Sequence, residues 1–338
     1  MDRTDSVRDG VPADYPGRIV AFPPGVSHVV MALIGVQSEV AQTHTDFITT
    51  LLDLCCGDLG PARIERAHHV DSAGLPTTLI IAYWSARNVA DAWWASMPVH
   101  SWWAGLPLTG EAGYFREILA IPQARFNYAA GTEDRVGSAA VLPLAPCATF
   151  GYWGAYRDRL AASRDDDFAS PLPAPPLAQV RVSRGRRLQV SVPDNLCFIR
   201  EGQGWGACDA EERAIWDAQM NGVIDVWVAR LGSDPAATGC LSIRDCTELD
   251  SVSGDAIARR SQFAYLLSLT HIEHAARTDP AHLAVHRAFV RMYTEPRFTP
   301  RMHVWVELAV VKHDEVVAEY VNCHSATGLV PYFESTAC

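Results

Sequence analysis

The stretch "HVVMALIGVQS" (28–38), followed without a break by "EVAQTHTDFITTLLDLCC" (39–56), decides how the chain is read. The first segment is rich in β-branched and apolar residues, the pattern of a buried strand. In the second segment Val40, Phe47, Leu51 and Leu54 fall near one face at helical spacing. Two strand-like segments follow, "ARIERAHHV" (62–70) and "TTLIIAYWS" (77–85). A helical stretch then begins near Asn88, and a further strand is read at "GYFREILAIP" (113–122). The order is βαββαβ.

The second half repeats that order. "NLCFIRE" (195–201) reads as a strand, and "DAEERAIWDAQMNGVIDVWVARL" (209–231) as a long helix with acidic residues in its first turn. "TGCLSIRDCTEL" (238–249) and "SQFAYLLSLT" (261–270) read as strands. A helical region runs to Arg291, broken at Pro280. "RMHVWVELAVVKH" (301–313) and "EVVAEYVNC" (315–323) read as a hairpin about His313 and Asp314. A βαββαβ pattern used twice predicts an α+β fold of two ferredoxin-like halves, with their sheets facing and helices outside. The halves span about 26–130 and 150–335 of a single domain, 26–338. Residues 1–25 read as a mobile leader. The Pro- and Asp-rich segment "SRDDDFASPLPAPPLAQV" (163–180) is an irregular excursion between the halves.

With 338 residues and a formal charge of −11, the chain lacks the basic surface that nucleic-acid binding needs. Its longest apolar runs are too short to span a bilayer. The nine cysteines are scattered and form no C-x-x-C pair, which argues against a zinc ribbon or a disulfide framework and for a reduced, cytoplasmic protein. Trp84, Trp93, Trp94, Trp102 and Trp103 fall within twenty residues and read first as core packing plus an interface. A tryptophan-lined ligand wall is the second reading. No G-x-G-x-x-G, Walker A, G-x-S-x-G or H-E-x-x-H motif is present.

The histidines remain. His271 and His274 are three apart and His282 and His286 four apart, so either pair can share a helix face. Zinc would need a third ligand such as His303 or His324. Pro280 favours a helix start and so gives His282 a fixed backbone from which to reach a cavity. A single neutral imidazole presented to an apolar pocket is also how haem iron is commonly held.

From about Val29 to Phe333 the chain resembles the haem-containing aldoxime dehydratases. The similarity is carried by "GVQS" (35–38), "AYW" (82–84), "WWAG" (102–105), "GYFREI" (113–118), "GYWGAYRDR" (151–159), "PDNLCFIR" (193–200) and "EYVNCHSATGLVPYFE" (319–334). The resemblance implies a dimeric ferredoxin-like α+β barrel-type body holding haem b, and conversion of R–CH=N–OH to a nitrile and water. It implies His282, in "Pro280-Ala281-His282", as the iron's axial ligand, and Arg159, closing "RDR", as a group that orients an oxime oxygen. The distal positions depart from the family pattern. Its distal histidine, eighteen residues before the histidine of "N-C-H", falls on Val306, and His303 lies at an odd offset that points to the other face of a strand. The hydroxyl residue after "I-R" is Glu201. An accessory histidine is Phe150, and a strand-end glutamate is Asn127.

Desolvation beside a haem would raise the pKa of Glu201 and let it donate a proton in place of the missing histidine. A salt bridge to Arg159 or Arg200 is the plain structural reading of the same residue. The leading expectation is therefore a haem b lyase that dehydrates an aldoxime, a homodimer acting on a small N–O substrate. The alternatives are a haem enzyme that uses a hydroxylamine-type N–O substrate for N–N bond formation or rearrangement, and a non-catalytic haem-binding sensor.

Overall fold

The computed structural model describes residues 17–147, 155–294 and 298–337. In chain order the strands and helices begin with β1 (Gly17–Val20), β2 (His28–Gln37), α1 (Ala41–Cys55), β3 (Arg63–Val70), β4 (Pro76–Trp84), α2 (Arg87–Ala95), α3 (Met97–Ala104) and β5 (Gly113–Pro122). Then come β6 (Phe126–Ala130), β7 (Leu144–Cys147), α4 (Ala155–Arg159), β8 (Arg187–Val190) and β9 (Leu196–Gly204). The long helix expected at 209–231 is α5 (Ala210–Trp216) and α6 (Gly222–Ser233), joined by a π turn at Asp217–Asn221. α7 (Pro235–Thr238), β10 (Cys240–Leu249), β11 (Ala256–Leu266), α8 (Leu269–Thr278), α9 (Pro280–Thr294), β12 (His303–Val311), β13 (Val316–Val321) and β14 (Ser335–Ala337) complete the described elements.

All the strands join one antiparallel sheet in the order β14-β8-β13-β5-β2-β4-β3-β10-β11-β9-β12-β6-β1-β7. Each half supplies four of its central strands, and in both the spatial order is fourth, first, third, second. The halves join where β3 pairs with β10, through Arg66–His68 and Thr247–Leu249. β5 and β12, at opposite ends of these eight strands, also touch, so the sheet curls round an interior. Met31, Leu33, Tyr83, Phe115, Phe198, Tyr265 and Trp305 fill that interior. α1, α2 and α3 cover the outer face of β2, β4 and β5, while α6, α8 and α9 cover that of the second half.

Two expectations need correction. β12 and β13 are not a hairpin: β12 pairs with β9 and β6, and β13 pairs with β5 and β8. The turn between them is a single 3-10 turn in which the Glu315 carboxylate accepts from the Lys312 N–H at 2.8 Å. It passes the chain from one half to the other instead of folding it back. β5 and β6 do the reverse through a similar turn at Gln123–Arg125, so each half gives a strand to the other's edge. The expectation of a mobile leader over 1–25 also fails for its described residues 17–20. Gly17–Val20 lies between β6 and β7, where its backbone groups are paired and Arg18 meets Glu133 at 2.8 Å. One boundary shifts too: the strand expected at 261–270 ends at Leu266, and Leu269 already starts α8.

The tryptophans follow the packing reading. Trp84, Trp93 and Trp103 are buried under the first-half helices, Trp102 packs on Phe47, and the Arg116 guanidinium lies over Trp94 and Trp103 at 4.7 and 4.8 Å. The excursion has no regular structure from Asp165 to Arg186, but it buries Phe168 and anchors Asp166 on Arg125.

The interior also holds charge. Arg200 of β9, fully buried, reaches Glu65 of β3 at 2.7 Å and Glu248 of β10 at 2.6 Å, with Glu307 of β12 at 3.6 Å. Its Nη1 donates to the Tyr83 hydroxyl, which donates to Glu307, both at 2.7 Å. Removing one member of such a cluster leaves the others as uncompensated buried charges, typically at about 3–5 kcal/mol. Arg200→Leu is therefore expected to lower the unfolding free energy in chemical denaturation by that amount. A loss below about 1 kcal/mol would show that the cluster does not hold the halves together.

Candidate active site

The site begins at the break between α8 and α9. Asp279 Oδ1 accepts from the Ala281 N–H at 2.9 Å, and Pro280 takes the first helical position, where a missing N–H is harmless. Asp279 Oδ2 meets Arg230 of α6, also at 2.9 Å, and this pair ties the two helices together. His282, on the first turn, has its Nδ1 at 2.8 Å from the Ala276 carbonyl. A carbonyl can only accept, so Nδ1 carries the hydrogen and Nε2 is the basic nitrogen. The ring packs edge-on against Trp227 of α6, with centroids 4.9 Å apart. Burial lowers its pKa below the ordinary histidine value, against the pull of the Ala276 carbonyl and Asp279, and favours the neutral imidazole. A half-buried neutral imidazole held through Nδ1 suits a metal-ligating histidine.

α9 lies over the outer face of the second-half sheet, where Val285 and Phe289 share a cluster with Ile243 and Val304. Alternation decides what this face presents. Arg200 and Glu307 point inward, so Glu201 and Val306 point outward, and the two are direct cross-strand partners. The carboxyl group therefore stands beside the position where the resemblance puts a histidine. Asn127 of β6 shares the face, paired with Leu308. It is buried, and its Nδ2 has no hydrogen-bond partner among the described residues.

Glu201 makes no hydrogen bond or ion pair among the described residues. Burial, and then the charge of Asp245, raise its pKa to about 7, with Arg260 opposing. An ion pair with Arg200 is ruled out, because that guanidinium lies on the other side of the sheet. α4 closes the site from a third direction. Its Tyr156 is pushed up to about 12 by burial, with Arg159 lowering and Glu201 raising it, so the phenol neighbours both groups. Arg157 fixes α4 to α8 through Glu273 at 2.8 Å and Thr270 at 3.1 Å. Phe150 lies outside the described residues.

The face fits a flat apolar group on His282. Ile199, Val304 and Val306 stay partly open although the interior side chains of the same strands are buried, and the orphaned amide of Asn127 shares their surface. The zinc reading finds no such support. Among the described residues no three His, Cys, Asp or Glu side chains gather as a metal site. His271 is bonded to Ser268, and His324 to Asp71 at 2.7 Å. His303 points into the sheet's interior, stacked on Trp305 and bonded to Thr132 at 2.6 Å. Trp227 and Tyr156 escaped the sequence reading. Tyr156 sits three residues from Arg159 in the same motif, but nothing in the spacing marks Trp227.

These features are those of a haem-binding enzyme. The chain belongs to the haem-containing dehydratase family, whose model matches residues 32–329, and it is a haem-dependent lyase. It is 32% identical to the phenylacetaldoxime dehydratase of Bacillus sp. (strain OxB-1), over 93% of this chain and 91% of that one. It is 27% identical to an aliphatic aldoxime dehydratase of Rhodococcus erythropolis, over 97% and 93%. Among solved structures, an aldoxime dehydratase matches with a TM-score of 0.85 and 26% identity, covering 99% of this chain and 96% of that one. An aldoxime dehydratase crystallised with butyraldoxime matches with a TM-score of 0.86 over 95% and 90%, at 24% identity, and supports the fold.

Asp279→Ala removes both the helix cap and the Arg230 pair. It should cost about 1 kcal/mol in thermal unfolding and weaken haem retention in gel filtration. Unchanged haem retention would show that His282 does not depend on this cap.

Proposed function

We propose that the protein dehydrates aldoximes, R–CH=N–OH, to nitriles and water, with His282 as the residue that would hold the iron of haem b and Glu201 as the proton-transfer residue. The observation that carries this reading is the unpartnered Glu201 carboxyl, beside Val306 on an open apolar face. Bound haem supplies an iron centre for the oxime nitrogen. The rest falls to the chain. The Glu201 carboxyl donates its proton to the oxime hydroxyl, the N–O bond breaks, and water leaves. The carboxylate then takes the proton from the aldoxime carbon as the C≡N bond completes, which restores the acid. Arg159 and Tyr156 orient the oxygen, and the Asn127 amide offers a further donor. Val306, smaller than a histidine, leaves room for the substituent R.

The absence of any C-x-x-C-H attachment sequence supports haem b held without covalent bonds. The matching strand order of the two halves supports reading each as a ferredoxin-like unit of one haem-binding domain. Leu177, Val180 and Val182, exposed on one irregular segment, support a homodimer contact there, and the free thiols of the described cysteines suit the cytoplasm. No described helix is long and apolar enough to cross a membrane.

Nitrile formation by reduced, haem-loaded enzyme, followed by gas chromatography on aryl and alkyl aldoximes, tests the reaction. Glu201→Gln should lower kcat by about 10²–10⁴ with the haem spectrum unchanged. Because the protonated carboxyl is the working form, wild-type activity should fall as pH rises through about 7. His282→Ala should change the iron spectrum in both oxidation states, and an unchanged spectrum would rule out the ligand.

A further inference from the structure

Across the outer face of the sheet, five side chains stand in direct register: Asp245 of β10, Gln262 of β11, Glu201 of β9, Val306 of β12 and Ala129 of β6. We propose that Asp245 and Arg260 are positioning residues that set the proton affinity of Glu201 across Gln262, so the working acid is tuned from outside the substrate pocket. The inference rests on the reading of Glu201 as the proton-transfer residue.

Gln262 is almost fully buried and both ends of its amide are occupied. Its Nε2 donates to Asp245 Oδ1 at 2.8 Å, and its Oε1 accepts from Gln203 Nε2 at 3.1 Å. Each of these amide nitrogens uses one of its two hydrogens in these bonds, and among the described residues neither glutamine donates to Glu201. Gln262 is a spacer with a fixed orientation between Glu201 and Asp245.

Beyond the spacer stands a charged triad. Arg260 of β11 bonds Asp245 through Nε at 2.7 Å, and a second contact to it comes from Nη2. Its Nη1 meets Asp225 of α6 at 2.7 Å. Two partly exposed carboxylates sharing one guanidinium leave a net charge of −1 (2 negative, 1 positive), with Asp245 two strands from Glu201. A neighbouring negative charge disfavours a second anion, and burial acts the same way.

The other groups around Glu201 do not replace this control. α4 contributes Tyr156, whose phenol Glu201 pushes up and Arg159 lowers, while the charges that bear on Glu201 itself are those of Asp245 and Arg260. The outward side chains of β12 here are the uncharged Val304, Val306 and Leu308, and those of β6 are Ala129 and the neutral Asn127 amide. α9, packed over the face, carries His282 and His286. Arg200 is on the far side, neutralised by its own three glutamates. α6 thus links both sides of the site: Asp225 shares the guanidinium that restrains Asp245, and Trp227, less than one turn later, packs on His282.

Difference infrared spectroscopy of the haem-loaded enzyme tests this, using the carboxylic C=O band lost in Glu201→Gln and its titration midpoint. Asp245→Asn should lower that midpoint by about one unit, and Arg260→Gln should raise it, because it leaves two unneutralised carboxylates. Arg260→Lys, which keeps the charge, should stay near wild type and separates charge from loss of packing. Midpoints unchanged in both Asp245→Asn and Arg260→Gln would overturn the proposal. So would a wild-type enzyme with no Glu201 carboxylic band at neutral pH. The pH profile of nitrile formation should shift with the midpoints. If the midpoints move and the profile does not, the tuning stands and the role of Glu201 as the reaction's acid falls.

Discussion

The Arg200 guanidinium, buried among Glu65, Glu248 and Glu307, is the interaction on which the rest of the structure depends. It draws on strands of both halves, and Tyr83 of β4 completes it. Burial alone would raise the carboxyl of Glu65, but Arg200, Arg259 and Arg63 outweigh it and hold its pKa low. Burial raises that of Glu307, against the pull of Arg200. Such a cluster is weak ground for high stability, since desolvation offsets much of the attraction. Its stronger effect is on register. A one-residue slip in β9 or β12 would turn these charges onto the outer face and bring Glu201 and Val306 inside, leaving buried ions unpaired. A second bridge, Glu117 to Arg244 at 2.6 and 2.8 Å with the Tyr320 hydroxyl on Glu117, repeats the device further along the interior.

The outer faces of the two halves are used differently. In the first half, tryptophans pack under the helices, and Arg116 lies against Trp94 and Trp103 while it pairs with Glu319. In the second half, aliphatic residues leave the corresponding surface partly open under α9, and the polar groups gather at its edge. One repeated topology therefore presents two different outer faces, because side-chain volume and not strand order decides how each face is filled.

Much of the architecture was legible in the chain. The apolar run at 28–38, the helical spacing after it and their recurrence after residue 195 marked the central strands and covering helices. Pro280 marked the start of α9, and the odd offset of His303 put it on the interior face, where it stacks on Trp305. The hairpin expected about His313 was wrong for a physical reason. A short polar turn between two apolar strands looks the same whether the strands pair with each other or with separate neighbours. The choice depends on edges that distant segments leave unpaired. The short strands β1, β6, β7, β8 and β14 were missed because each is too brief to show a period, and each forms only because an exposed edge awaits it.

By itself, the sequence determined which residue types were available: an imidazole after a proline, a carboxyl where a hydroxyl was expected, and a valine where a histidine was expected. Local periodicity also settled which face of each strand these residues occupy. Only the tertiary structure decided that Glu201 and Val306 are cross-strand partners, that Gln262 and Asp245 continue the same row, and that Trp227 lies against His282. Those relations join segments tens to more than a hundred residues apart. They are set by strand order and by the buried Arg200 cluster, and neither leaves a mark in the spacing along the chain.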